Sequence, residues 1–409
     1  MTALRAVFED AWLIDGMRTP FVDYRGAFAE ISPIDLGIKA ARAAIARARI
    51  DPADIGTTIA GSMAPGSFDA YVTPRHVGLY AGVPIERPAH LVQRICGTGL
   101  EVLVQAADVV SLGRAELVLA AGTESMSRTP IAAFTHRNGF ALGKVEFKDF
   151  LLEALYDPAA CVSMGDTAEN LAKQYGITRE EVDRFAEQSF DRAIAAQHFL
   201  AGEIVSVTTE TFEAEGLQPR GIRLPRGVNG VEVDSHVRRS PYEVLSKLRP
   251  AFGGVQTGGN SSAIVDGAGA IVVGSGSRAR SHGSPLARIL CGASVGVPPH
   301  IMGIGPAPAI RAVLDTAGLG LDQIGRLEIN EAFGAQTLAC ARELGLDVAR
   351  LNVNGGAIAI GHPLGATGIR IALTLARELK RSHQRYGVAA ACIGGGQGIA
   401  LLIENEAGS

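Results

Sequence analysis

One unit is written twice in this chain: an apolar run, a glycine turn holding a reactive side chain, an amphipathic helix and a second apolar run. The first copy leads from Leu91-Val92-Gln93-Arg94-Ile95-Cys96 into Gly97-Thr98-Gly99. A predicted helix follows over 101–112, apolar at Val102, Val104, Val109 and Leu112, and then the run Glu116-Leu117-Val118-Leu119-Ala120-Ala121-Gly122. The second copy spans the turn Asn352–Gly368 with Gly361-His362-Pro363 at its centre, a predicted helix over 369–379, and Val388-Ala389-Ala390-Ala391-Cys392 before Gly394-Gly395-Gly396. Continuous apolar strands alternating with amphipathic helices call for α/β architecture, with sheets covered on both faces and read here as mostly parallel. Right-handed crossovers place the turns at the carboxyl ends of strands, where such sheets take ligands. Two similar halves back to back then bring the turns of Cys96, His362 and Cys392 into one cleft.

Between the halves the rhythm breaks. From Met126 to Asn260, Arg, Lys, Phe and Tyr are commoner, and Thr178-Arg179-Glu180-Glu181 opens a helix running to about Phe199 with a capping box. Asp166–Tyr175 reads as another helix, and Arg220–Arg239 as exposed loop. The expected organisation is a first half over 1–125, resuming at about 261–283, an inserted loop domain over 126–260, and a second half over 284–409. The apolar run Ala268–Val273 marks the resumption.

Bulk properties exclude several function classes. A net charge of −4 lacks the basic footprint of a nucleic-acid binder. No run of about 18 apolar residues is present, so no membrane span is expected. The segment Met1–Asp10 shows no basic stretch followed by an apolar one, which makes the cytoplasm the expected compartment. The five cysteines, at 96, 161, 291, 340 and 392, form no Cys-x-x-Cys pair and have no zinc-ligand spacing, so no metal is expected. Cys161, Cys291 and Cys340 read as small buried hydrophobes. Cys96, Cys392 and His362 stand apart because each sits in a glycine turn.

Taken in order, a series of segments resembles the thiolase family, the acyl-CoA C-acyltransferases, along almost the whole chain. They are Gly16-Met17-Arg18-Thr19-Pro20-Phe21, the Cys96 turn, Ala121-Gly122-Thr123-Glu124-Ser125-Met126-Ser127 and Ser163-Met164-Gly165-Asp166-Thr167-Ala168-Glu169-Asn170. Lys247-Leu248-Arg249-Pro250-Ala251-Phe252, Met302-Gly303-Ile304-Gly305-Pro306, Asn330-Glu331-Ala332-Phe333, Gly361-His362-Pro363 and the Cys392 turn complete it. The resemblance implies a five-layer α/β/α/β/α sandwich of two similar halves with an inserted loop domain for CoA binding and oligomerisation, assembled as a homodimer or homotetramer. The implied substrates are acyl-CoA and CoA, with no separate cofactor.

The implied chemistry suits these residue types. A thiol must hold an acyl group as a thioester, and Cys96 is that nucleophile by resemblance. A free thiol is only slightly ionised near neutral pH, so His362, with an ordinary pKa of about 6.5, is expected to take its proton. Cys392 is the second acid/base, moving the α-carbon proton. Asn330 resembles the residue that holds a water in one oxyanion hole, and the backbone N–H groups of Cys96 and Gly394 form the other. By resemblance Ser262 meets the pantetheine, Leu155 and Met164 flank it, and Arg238 lies against the adenine and phosphates. Phe252, Met302 and Phe333 line the acyl cavity or its floor. Taken alone, Asn330 could simply cap a following helix and Cys392 could be a core residue.

Two departures from the family pattern bear on mechanism and specificity. Gly97-Thr98 replaces Ala or Ser followed by Ser, predicting a looser nucleophile turn. Ser163 stands where acetoacetyl-CoA-forming members often carry His, which favours reversible thiolysis of longer 3-oxoacyl-CoAs over acetoacetyl-CoA synthesis. A non-catalytic acyl-CoA binder and a ketosynthase-like enzyme are the other classes, and the four residues Cys96, Asn330, His362 and Cys392 oppose both.

Overall fold

The computed structural model describes residues 2–134, 136–281 and 283–408; Met1, Thr135, His282 and Ser409 lie outside them. Nine strands form the main sheet path: β1 (Ala3–Arg18), β2 (Thr57–Gly61), β3 (Ala89–Val92), β4 (Leu117–Ser125), β5 (Val265–Gly274), β6 (Ala287–Gly296), β7 (Ile324–Ile329), β8 (Tyr386–Ile393) and β9 (Gln397–Glu404). Their order is β7-β8-β9-β6-β1-β5-β4-β2-β3. Read outward from the centre, the first half is β1-β5-β4-β2-β3 and the second is β6-β9-β8-β7. An isolated parallel bridge from Leu327 to Leu351 stands where β3 has its counterpart. The two halves therefore share one topology. They join where β1 pairs through Ala3–Leu13 with β6, its own equivalent, while Trp12–Arg18 pairs with β5.

Eight helices flank these strands: α1 (Pro33–Ala48), α2 (Thr73–Tyr80), α3 (Thr98–Ser111), α4 (Met164–Tyr175), α5 (Arg179–Ala195), α6 (Pro306–Ala317), α7 (Gly334–Leu344) and α8 (Leu364–Arg381). α3 and α8 pack on each other between the two half-sheets, and Leu100, Leu103, Ile369, Ile371 and Leu373 share one core with Val118, Ile271, Ala391 and Leu401. α1 and α2 cover the outer face of the first half, α6 and α7 that of the second. Five layers result. The start of α1 shows how locally this is written: Ser32 accepts from the Ile34 N–H, Pro33 fits the first turn, and Asp35 faces the helix N-terminus. Truncating one of the fully buried central side chains, such as Leu373, to Ala costs about 2–5 kcal/mol.

The expectation of mostly parallel sheets is corrected. Six strand pairings within this sheet are antiparallel and three parallel. Helices cover both faces in either case, so an apolar run reports burial and is silent on strand direction. Helix boundaries shift as well. α3 begins at Thr98, and α8 begins at Leu364, with a one-turn helix (Ala357–Ile360) inside the turn before it. The helix predicted to reach Phe199 ends at Ala195, and a separate turn covers Gln197–Ala201.

Between β4 and β5 the chain builds three two-stranded ribbons beside α4 and α5. Arg220–Ile222, read as exposed loop, pairs with Glu210–Phe212, and Arg220 reaches Asp35 at 2.6 Å and Asp69 at 2.7 Å. Arg18 ties this region to β1 from a fully buried position, meeting Glu203 at 2.7 Å and Asp234 through both terminal nitrogens at 2.6 and 2.8 Å. Such a bidentate, fully satisfied pair is tolerable in a dry site, whereas removing one partner costs about 3–5 kcal/mol.

Candidate active site

Cys96 sits in a 3-10 turn (Ile95–Gly97) that runs straight into α3, and His362 lies two residues ahead of α8. These helices cross backbone to backbone. A Cβ on Gly368 would lie 2.1 Å from the Leu100 nitrogen, and one on Gly99 2.6 Å from the Ile369 nitrogen. The crossing draws the beginnings of both helices, and so both turns, toward one place. The Cys96 turn is not loose, contrary to the expectation from Gly97-Thr98. Thr98 Oγ1 accepts from the Arg94 N–H at 2.8 Å and donates to the Ile95 carbonyl at 2.7 Å. Gly97 lets Ile393 approach within 2.5 Å of where a Cβ would stand. Ile95 itself adopts φ +47°, a left-handed conformation that strains a β-branched residue by about 1–3 kcal/mol.

His362 is buried and held at both ring nitrogens. Its Nδ1 lies 2.6 Å from Thr367 Oγ1, which donates to the Pro363 carbonyl at 3.1 Å. That network assigns the proton to Nδ1 and leaves the lone pair on Nε2. Asn330 Nδ2 lies 3.3 Å from Nε2, while Asn330 Oδ1 is buried with no partner among the described residues. Asn330 does not cap α7, whose N-cap is Phe333. Its backbone N–H donates to Ala390, which locks it against β8. Burial, with Arg370 adding repulsion, pushes His362 down to about 3, not the ordinary 6.5 expected from sequence. Burial likewise pushes the Cys96 thiol up to about 12. The resting pair is a neutral thiol and a neutral imidazole.

The backbone N–H groups of Gly394 and of Cys96 itself face the same sulfur, and both favour its anionic form. Cys392 lies at the end of β8, fully buried beside Met164, Met302 and Ala332. Burial raises its pKa, and charge on Cys96 raises it further, so the thiols are close enough to oppose simultaneous ionisation.

Two cavities lead here. One of about 430 Å³ reaches His362 and is lined by Leu155, Phe252, Ser262, Phe333, Tyr24 and His236. A second of about 440 Å³ adds Leu152, Tyr156, Ser163 and Met164 and shares Leu155, Phe252 and Phe333 with the first. A larger cleft of about 670 Å³, by Arg42, Tyr80 and Glu213, contains none of these residues and is set apart from the chemistry. Met302 is buried against Cys392 and lines neither cavity, so it forms floor. Ser163 has its hydroxyl committed to Asp166 in the capping box that opens α4. Arg238 is exposed, stacked over Phe190 at 5.4 Å and bonded to the His236 ring at 3.0 Å, and it is His236 that lines the cavity. Cys161, expected to be buried, is exposed on a turn at φ +54°.

Sequence reading passed over Thr367, Glu124 and His236. Thr367 follows His362 by five residues inside the quoted turn, and Glu124 is a carboxylate in a fully buried strand with no other charged residue. Either oddity could have flagged them; His236 carried no such signal. No described helix is long and apolar enough to cross a membrane.

The sequence profile of the family "Thiolase, N-terminal domain" matches residues 11–277, and that of "Thiolase, C-terminal domain" matches residues 283–405. Mitochondrial 3-ketoacyl-CoA thiolase from Homo sapiens is 41% identical, with 100% of both chains covered. Acetyl-CoA acetyltransferase from Pseudomonas aeruginosa is 39% identical over 97% of this chain and 100% of the relative. The crystal structure of the human mitochondrial 3-ketoacyl-CoA thiolase in complex with CoA superposes with a TM-score of 0.90 at 39% identity, covering 98% of this chain and 99% of that one. With both halves matched, one topology repeated, and two thiols and an imidazole gathered where the central helices cross, the chain belongs to the thiolase family.

Proposed function

We propose that the protein catalyses reversible, CoA-dependent thiolysis of 3-oxoacyl-CoA to acetyl-CoA and a shortened acyl-CoA, through an acyl group carried on Cys96. The observation that carries this reading is a Cys96 sulfur whose anionic form the Gly394 and Cys96 N–H groups favour, packed with Leu364 at the head of α8, two residues beyond a neutral, oriented imidazole. As the thiol attacks the 3-oxo carbonyl, His362 Nε2 takes its proton. The two N–H groups then face the oxyanion of the tetrahedral intermediate; removing one such donor costs about two to three orders of magnitude. The C2–C3 bond breaks, Cys392 protonates the released α-carbon, and Asn330 with His362 stabilises the enolate oxygen. The thiol of CoA finally attacks the acyl-Cys96 thioester as Cys392 takes its proton, and the released Cys96 thiolate recovers its own proton from His362. CoA acts as substrate, with no further cofactor.

The joined apolar cavities support substrates longer than four carbons. Ser163 lines the second, and its small, capped side chain leaves that space open. Each methylene in an apolar pocket is worth only about 1–3 kcal/mol, so the preference is graded. A biosynthetic acetoacetyl-CoA-forming reaction is the second reading, favoured by relatives named acetyl-CoA acetyltransferase. A thiolysis series from four-carbon to long-chain 3-oxoacyl-CoAs decides between them. Turnover of six- and eight-carbon substrates is expected, and activity confined to acetoacetyl-CoA would overturn the longer-chain assignment. Mass mapping after acetyl-CoA alone should find one acetyl group, on Cys96.

Self-association is part of this reading. β3 is an edge strand with Leu91 exposed, and Phe68, Tyr71, Ile85, Ile131, Phe134, Leu142 and Phe147 are exposed apolar side chains. A sedimentation measurement showing a monomer would refute the homodimer or homotetramer. The cytoplasm expected from the N-terminus differs from the compartment in the human relative's name, which is mitochondrial.

A further inference from the structure

The turn carrying His362 is gripped on both sides by buried carboxylates. Four residues before it, the Ile358 N–H donates to Glu331 Oε2 at 3.1 Å, and Glu331 also accepts from Ser189 Oγ at 2.7 Å and Asn352 Nδ2 at 2.8 Å. Three residues after it, the Gly365 N–H, within the first turn of α8, donates to Glu124 Oε2 at 2.9 Å. That oxygen also accepts from the Met63 N–H at 2.9 Å, while Oε1 accepts from the Ala64 N–H at 3.1 Å and from Ser62 Oγ at 3.3 Å. Glu124 is fully buried at the end of β4, and Ser62–Ala64 follow β2 directly. One side chain thus joins two strand ends of the first half to the helix start of the second.

We propose that Glu124 is a positioning residue for the Cys96–His362 pair, its carboxylate locking the His362 turn onto the strand ends beside Cys96. All the contacts at Glu124 are donors, which an acceptor-only carboxylate satisfies and an amide cannot. Burial outweighs the pull of its donors and leaves this carboxyl at about 7, and its charge opposes ionisation of Cys96. Glu124 lines neither cavity and so reaches substrate only through the turns it holds. A displacement of about 1 Å in a catalytic group costs about a hundredfold in rate. The proposal rests on Cys96 being the acylated nucleophile.

The test is Glu124→Gln in the full chain, read by steady-state thiolysis of acetoacetyl-CoA and by iodoacetamide labelling mapped over the five cysteines. The expected result is kcat lower by about tenfold or more with KM within about twofold. Cys96 labelling should slow relative to exposed Cys161 even though the variant removes a charge that opposes Cys96 ionisation, because the lost alignment outweighs it, while buried Cys291 and Cys340 stay unreactive. Unchanged kcat and Cys96 labelling would overturn the proposal. So would Cys291 and Cys340 becoming reactive in parallel, which marks a general loss of packing. If Glu124→Gln does not fold, Glu124→Asp keeps the charge but draws it back from Gly365, and the same selective slowing of Cys96 is required. Wild-type protein that takes no acetyl group on Cys96 would defeat the proposed function itself, whatever the variant does.

Discussion

The turns that carry Cys96 and His362 occupy equivalent places in two copies of one topology, yet they are held in opposite ways. The Cys96 turn is short and continuous with α3, closed by Thr98 and strained at Ile95. The helix N-terminus and the converging N–H groups favour a negative sulfur there. The His362 turn is long, contains a one-turn helix, and is fastened by side chains: Thr367, Asn330, Glu331 and Glu124. A nucleophile whose charge develops during attack is served by fixed backbone dipoles, whereas a base must keep one tautomer and one orientation, which takes side-chain partners. Repetition of one topology thus yields two turns with one backbone address and different surroundings.

The largest break in this comparison should come from the two thiols. Cys96→Ser should lower turnover by at least about a thousandfold, because an alcohol is hard to deprotonate and its ester resists thiolysis. Cys392→Ala should still take an acetyl group from acetyl-CoA yet lose the carbon–carbon step by about two to four orders of magnitude. Mass mapping with partial-reaction assays separates them, and label arriving on Cys392 would reverse their roles.

A smaller effect belongs to the fastening of the imidazole. Thr367→Val removes the acceptor for the His362 Nδ1–H while preserving shape, and kcat should fall by about ten- to a hundredfold with little change in KM. An unchanged kcat would show that Asn330 alone holds the ring.

The finest distinction is in stability against pH. His362 has its pKa lowered in the fold, so below 6.5 the unfolded chain binds a proton that the folded chain refuses. Its contribution is present above pH 6.5 and lost progressively toward pH 3. Cys96 has its pKa raised from 9.0 to about 12, so its contribution is present below pH 9 and lost above it. Melting temperature against pH should therefore lose acid sensitivity selectively in His362→Asn and alkaline sensitivity selectively in Cys96→Ala. Parallel curves for wild type and His362→Asn between pH 3 and 6.5 would refute the buried neutral imidazole.

Local chemistry was plain in the chain. The apolar runs, the capping box at Thr178, and the glycine turns around Cys96, His362 and Cys392 each depend on neighbours within a few residues. Strand direction at β5, β6 and β9 was not, because a strand covered on both faces looks equally apolar whichever way it runs. The extent of the Asn352–Gly368 turn was misread for a related reason: Leu364 to Gly368 is rich in small residues, and only packing against α3 settles that it is helix.

The sequence by itself determined which thiols and which imidazole stand in glycine turns, because residue type and glycine spacing are both local records. Tertiary structure alone decided their electrostatics and alignment. The depression of His362, the elevation of Cys96, and the grip of Glu124 on Gly365, 241 residues away along the chain, arise from burial and contacts between distant segments. Desolvation is a property of everything packed around a group, and no local stretch of sequence carries it.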